Sequence, residues 1–427
     1  MKGIKILSVA ALVLVTSTLL EAQGAPKVVN LSDALGVMKA SWTGDQTKLA
    51  YIAGSTSGGP DVLAKALYQR SLYKLDESSA TVAACGATAE LGKSSANSQC
   101  GLILAGNKLL SNDIAGWAKI MDANRSAAYA QYAQAMHVAT SDLHIREYEP
   151  VADFKPYFDF PAVTVTRDAE DFTLPLDWTT FSGHDKSGVW MVWVKVNGKQ
   201  IHAALDTGTA GVVLTQADAD STGIDHIHQE WIKINQGTPS KLGVARDMNL
   251  GPVHIKNMPV VISSTSPKFS LIGINALQYL GVIQIADGTL TSKAEGFGGA
   301  CSTSMTMASW IDGLGGALLV QGAVADKPFP FFLDTGDAWG VSRNIFGAPP
   351  AYDTTQTISM QAAGVEEQTI TSDGKEMMQI GEVPSTNQEY RVLYNNHHTR
   401  FRYDIGAFYV HSHKLVIDFK RGLLCLK

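Results

Sequence analysis

The sequence predicts an α+β multidomain chain, with a helical N-terminal domain followed by two β lobes built on one repeated plan. Three observations carry this. Asp-Thr-Gly occurs twice, at Asp206-Thr207-Gly208 and Asp334-Thr335-Gly336, each time behind an apolar run, 201–205 and 331–333. The landmarks that follow are spaced alike: Asp206 to Gly273 is 67 residues and Asp334 to Gly406 is 72, and the turn glycines Gly288 and Gly422 come 15 and 16 residues later. Before about residue 150 the pattern is different, with apolar positions close to a 3.6-residue period.

Taken in order, the chain starts with a basic pair, Lys2 and Lys5, then an apolar stretch over 6–20 and small residues at Ala22, Gly24 and Ala25. That is the layout of a secretory signal covering 1–25, cleaved between Ala22 and Ala25. An uncleaved anchor is the alternative, but the stretch is short and broken by Ser8, Thr16, Ser17 and Thr18. No later segment is long and apolar enough to span a bilayer, so no stable membrane insertion is expected after removal. The chain is therefore placed in the periplasm or outside the cell.

Residues 26–150 form the helical domain. Helices are expected over 61–75, 113–121 and 126–138, with Gly86, Gly92, Gly101 and Gly106 dividing the region into short pieces. This domain is read as a structural cap or as a docking surface for a partner. Pro150, Pro156 and Pro161 break the pattern, and 151–169 is read as a linker.

The first β lobe is assigned to 170–295. Asn197-Gly198 is the strongest hairpin signal, joining the Val- and Trp-rich run 189–196 to the strand that delivers Asp206. Leu271-Ile272-Gly273 precedes a short helix over 275–280, and a hairpin turns at Asp287-Gly288. The second lobe, 296–427, repeats the order. Its first hairpin turns at 325–327 and delivers Asp334, Ile405-Gly406 precedes a short helix, and the last hairpin turns at Arg421-Gly422. Turns near Thr238-Pro239 and Gly364 are candidates for hairpins over a cleft.

The triplet has a chemical sense. A carboxylate at a strand end projects from a rigid platform, threonine fixes the loop by hydrogen bonding, and glycine admits a second backbone. Two such carboxylates brought together cannot both ionise easily. They share a proton, and one acts as base on a water while the other acts as acid.

In these features the sequence resembles the aspartic peptidases, specifically the bacterial retropepsin-like group. The resemblance rests on Leu205-Asp206-Thr207-Gly208, on Leu271-Ile272-Gly273 and on the closing hairpin, and it covers roughly 170–427. It implies two acid-protease β-barrel lobes forming a pseudo-dimer, with Asp206 and Asp334 as the dyad that activates water to hydrolyse a peptide or protein substrate. Thr207, Gly208, Thr335, Gly336, Leu271, Ile272, Gly273, Ile405 and Gly406 would support the loops. The second unit departs from the pattern at Asp404, which replaces an apolar residue, and at Asp337, which brings a further carboxylate next to the dyad. Those departures keep open a peptide-binding pseudo-peptidase. A site formed between the first lobes of two chains is a third possibility.

Four cysteines, Cys85, Cys100, Cys301 and Cys425, allow three disulfide pairings, or four free thiols. Cys85 and Cys100 lie in one glycine-rich helical segment where a short loop can close. The family architecture brings the ends of a lobe together, which implies a Cys301–Cys425 bond.

Other chemistries lack support. The formal charge of −6 and the absence of a basic run give no nucleic-acid signal. His397-His398 and His411/His413 have no accompanying ligand spacing, so no metal is assigned. Ser302, Ser304 and Ser309 lack a nucleophile-elbow context, and no phosphate- or dinucleotide-binding fingerprint is present, so no cofactor is expected.

Overall fold

The structure is a computed structural model that describes residues 31–54, 60–84, 97–137, 139, 148–150, 153–180, 187–230, 232–234, 240–263, 269–299, 301–345, 373–394 and 400–427. The signal segment 1–25, Cys85, Thr238-Pro239, Gly364 and His397-His398 lie outside the described residues.

Among the described residues six helices come first: α1 (Leu31–Thr43), α2 (Gln46–Ala53), α3 (Pro60–Ser71), α4 (Leu75–Ala83), α5 (Ser98–Leu110) and α6 (Ile114–Met136). Side-chain caps start several of them. Asp45 accepts from the Lys48 amide, Asn97 from Gln99 and Asp113 from Gly116, each giving an orphan helix donor a partner. The helix expected over 61–75 stops at Ser71. Tyr73 takes a left-handed conformation (φ 59°) that places its ring against Phe419 of the second β unit, at 4.9 Å between centroids. Burying that ring against a distant partner overrides the local helical period. Conversely, the two segments expected at 113–121 and 126–138 belong to one continuous α6. Leu63, Leu67, Leu102, Ile103, Trp117 and Tyr132 fill the helical core.

The first β unit is a nine-stranded sheet. Its central hairpin joins Gly188–Val196 to Lys199–Leu205. Asn197 and Gly198 both have positive φ, the geometry a two-residue turn needs to match strand twist. Lys199–Leu205 runs parallel to Ser270–Ile272, which lies antiparallel to Val212–Leu214. Val212–Leu214 is parallel to Val253–Ile262, which pairs with Lys241–Leu250. Lys241–Leu250 returns to Gly188–Val196, so six strands close a ring. Between these strands lie the helices α7 (Gln216–Thr222) and α8 (Ile274–Leu277).

The stretch read as a linker is partly lobe. Thr164–Arg167 pairs with Val253–Ile262 as a sheet-edge strand, because a chain passing an open edge satisfies its backbone groups there. Just upstream, Tyr148–Pro150 pairs antiparallel with Ile232–Ile234.

The second unit closes the same ring in the same order. Ala317–Val324 pairs with Lys327–Asp334, which is parallel to Tyr403–Gly406. Tyr403–Gly406 lies antiparallel to Val341–Ile345, which is parallel to Thr386–Tyr394. Asp373–Ile380 pairs with Thr386–Tyr394 and returns to Ala317–Val324. Helix α9 (Ala407–His411) occupies the position of α8.

A five-stranded sheet joins the units: Leu423–Leu426, Leu415–Asp418, Val282–Ala286, Thr289–Lys293 and Phe172–Pro175. The closing hairpins of both units meet in its middle, where Val282 faces Asp418 and Ile285 faces Leu415. Cys301 and Cys425 form a disulfide with Cα atoms 5.5 Å apart, within the usual bridging range. Cys100 is buried and disulfide-bonded.

Candidate active site

Both triplets follow directly on strands of the rings, and a reciprocal lock joins them. The Thr207 amide donates to Thr335 Oγ1 (3.0 Å), and the Thr335 amide donates to Thr207 Oγ1 (3.1 Å). Each hydroxyl donates onward across the interface, Thr207 to the Leu333 carbonyl and Thr335 to the Leu205 carbonyl, both at 2.8 Å. Both threonines are fully buried, so each bond is made where water offers no substitute. The glycines explain the close approach. A Cβ on Gly208 would collide with the Asp334 carboxylate, and one on Gly336 with the Asp206 carboxylate.

Behind each triplet sits the second glycine. Leu271 and Ile272 pair in parallel with Ala204 and Leu205, and Ile405 with Leu333. A Cβ on Gly273 would strike the carbonyls of Thr209 and Gly211, and one on Gly406 those of Trp339 and Asp337. The start of each short helix then donates to its loop. Ile274 N reaches Thr209 O (3.0 Å) and Asn275 N reaches Ala210 O (2.8 Å); Ala407 N reaches Asp337 O (2.7 Å) and Phe408 N reaches Trp339 O (3.1 Å).

The two carboxyls are not equivalent. Asp206 accepts from the Gly208 amide (2.8 Å) and from the Thr209 hydroxyl (2.6 Å). Burial raises its pKa, while the Thr209 hydroxyl, a hydrogen bond from Asp334 and the amides of Gly208 and Thr209 pull it back. Asp334 accepts only backbone donors, Gly336 N (3.0 Å) and Asp337 N (3.1 Å). Burial holds it well above the usual carboxylate range, reinforced by the negative charges of Asp206, Asp337 and Asp404. The arrangement therefore favours a proton on Asp334 and a charge on Asp206.

Asp337 takes the place in the second unit that Thr209 takes in the first. Its carboxylate turns away from the pair and accepts from the Trp339 amide (3.1 Å) and the Ser342 hydroxyl (3.3 Å). Burial raises its own pKa, opposed by these bonds and by Arg391, whose guanidinium stacks 3.3 Å over the Trp339 ring. Asp404 is also buried and accepts from Asn344 Nδ2 (2.6 Å). Thr209, Ser342 and Asn344 were not singled out from the sequence. The hydroxyl just after the first triplet, matched by an acid after the second, was the available signal.

The remaining candidates lie elsewhere. His411 packs against Trp178 and Trp190, and His413 stacks on Tyr409. Ser309 accepts from Arg70 in the contact with the helical region. Among the described residues no group of three His, Cys, Asp or Glu is placed to hold a metal.

Residues 192–279 match the family described as gag-polyprotein putative aspartyl protease. The matched stretch holds the first triplet and Gly273, so the likeness to that family is carried by the first β unit. Among solved structures, it is similar to a retropepsin-like aspartic protease from Rickettsia conorii, with 17% identity over 31% of this chain and 92% of that one and a TM-score of 0.23. It is also similar to Basic 7S globulin from soybean, with 9% identity over 60% of this chain and 95% of that one and a TM-score of 0.33. No curated protein sequence matches it.

Proposed function

We propose that the protein is an aspartic endopeptidase in which the two closed rings act as a pseudo-dimer of retropepsin-like lobes, with Asp206 and Asp334 as its dyad. The observation that carries this reading is the Thr207–Thr335 lock, which joins the two triplets of one chain. A site assembled from the first lobes of two chains is not needed, since Asp334 already stands beside Asp206.

In this reading Asp206 takes a proton from a water as that water attacks the scissile carbonyl, and Asp334 donates its proton to the carbonyl oxygen. The tetrahedral intermediate then collapses. The C–N bond breaks, the amine leaves with a proton from the dyad, and the new carboxyl product departs. The second reading, a peptide-binding pseudo-peptidase, is favoured by one observation: Asp337 and Asp404 add negative charge around Asp334. We also propose export by a cleaved 1–25 signal, in keeping with the Cys301–Cys425 bond, since disulfides persist in oxidising compartments.

The test is turnover of a mixed peptide pool across about pH 3 to 8, repeated with Asp206→Asn and Asp334→Asn. Loss of cleavage in both variants upholds the peptidase. Peptide binding without cleavage by the wild type selects the pseudo-peptidase.

A further inference from the structure

The helical region contributes no group to the chemistry above, yet it reaches α8, whose first amides hold the loop that carries Asp206. We propose that Asn112, in the turn between α5 and α6, is a positioning residue for Asp206, which makes the helical region part of the catalytic apparatus. This rests on the peptidase reading.

The contacts form a continuous path. Asn112 is buried in a left-handed conformation (φ 63°). Its Nδ2 donates to the Asn275 carbonyl (3.0 Å) and to the Tyr279 hydroxyl (2.9 Å). Those acceptors lie in and just after α8, whose first amides hold the carbonyls of Thr209 and Ala210. Thr209 in turn donates its hydroxyl to Asp206. A second contact runs alongside: the buried Tyr73 hydroxyl donates to Gln278 Oε1 (2.8 Å).

The other half of the site is braced differently. Helix α9 packs its His411 ring against Trp178 and Trp190 of the first β unit. The second triplet is thus steadied by the partner unit, whereas the first is steadied by the helices. Those helices are fixed in turn to the second unit. Arg70, fully buried, donates to the carbonyls of Trp310 (2.9 Å) and Ile311 (3.0 Å). The helical region therefore ties the backing of Asp206 to the unit that carries Asp334.

The consequence is specific. Freeing α8 loosens the Thr209 carbonyl and with it the hydroxyl that favours the charged form of Asp206. Asn112→Gly deletes the amide and keeps the left-handed turn, which glycine adopts freely. Asn112→Asp keeps the side-chain shape and tolerance of that turn but removes the donor. Both variants are expected to lose about 10-fold in kcat with KM nearly unchanged, because misplacing a reacting group costs rate rather than binding. The acidic limb of the kcat profile should move to higher pH. Amide exchange over 273–276 should quicken, while Ser111→Ala, an exposed neighbour in the same turn, should match wild type in all three. Wild-type kcat, acidic limb and exchange in both Asn112 variants would overturn the proposal. If even the wild type cleaves nothing, the peptidase reading falls and exchange decides the clamp: faster exchange upholds it and unchanged exchange refutes it.

Discussion

Asp337 and Thr209 occupy the same offset from their aspartates and do opposite things. A hydroxyl donates and favours the anion beside it; a buried carboxylate repels it. Because the charge of Asp337 falls on Asp334, Asp337→Asn is expected to lower the pKa that ends activity at high pH, moving the alkaline limb downward. Asparagine retains an acceptor for the Trp339 amide, so the fold is kept. A pH–rate profile checks this, and an unmoved alkaline limb would remove Asp337 from the account. Asp334 also makes a stability statement. Its folded pKa lies above its unfolded value, so its contribution is fully present below the ordinary carboxylate range and is lost as pH rises through the elevated folded value. Asp334→Asn escapes that loss. Its melting temperature should exceed that of the wild type at about pH 8 and converge on it near pH 4, below which the carboxyl is neutral in both states.

The two hairpin strands that deliver the aspartates share one apolar core at Leu205 and Leu333 and are locked by four hydrogen bonds between Thr207 and Thr335 and their partners. Thr335→Val keeps shape and removes the hydroxyl, stripping the Thr207 amide and the Leu205 carbonyl of partners. The expected cost is about 2–6 kcal/mol, at about 1–3 kcal/mol for each of the two buried groups left unsatisfied. Thr335→Ser should restore most of it, as denaturant unfolding of the pair would show. The strand pattern here was readable in advance: Asn197-Gly198, 325–327, Asp287-Gly288 and Arg421-Gly422 all turn where their residues say they should. The break at Tyr73 and the edge strand Thr164–Arg167 were not readable, because a distant ring and a distant sheet edge supply the energy that overrides local preference.

Across the molecule, the closing hairpins and the helical region join the two rings, and the disulfide fastens the end of the second. Breaking Cys301–Cys425 with paired Cys→Ala substitutions is expected to cost about 2–5 kcal/mol, since the bond closes a long loop in the unfolded chain. Guanidinium unfolding with and without reductant tests it: the variant should fall below wild type without reductant, and the two should converge with reductant, which also opens the bridge at Cys100. An equal midpoint in every case would mean that the shared sheet alone secures the end of the second unit. The helical region looks like an appendage in the sequence, because its apolar period describes only its own core. Its polar anchors, Arg70, Tyr73 and Asn112, carry no local signature of that role, since the partners they reach in the β units lie more than a hundred residues away.

What could be known from the order of residues was the duplication: two triplets, two later glycines and matched turns, each governed by short-range rules of strand, turn and backbone access. From these came the expectation that Asp206 pairs with Asp334 and that glycines let them approach. The inequality of the two carboxyls needed three dimensions. Whether Asp337 faces the dyad or turns to Trp339 and Ser342, and whether Asp404 is exposed or buried against Asn344, depends on packing and on the low-polarity surroundings it creates. A pKa responds to distance and burial, and neither is written in the spacing of residues along a chain.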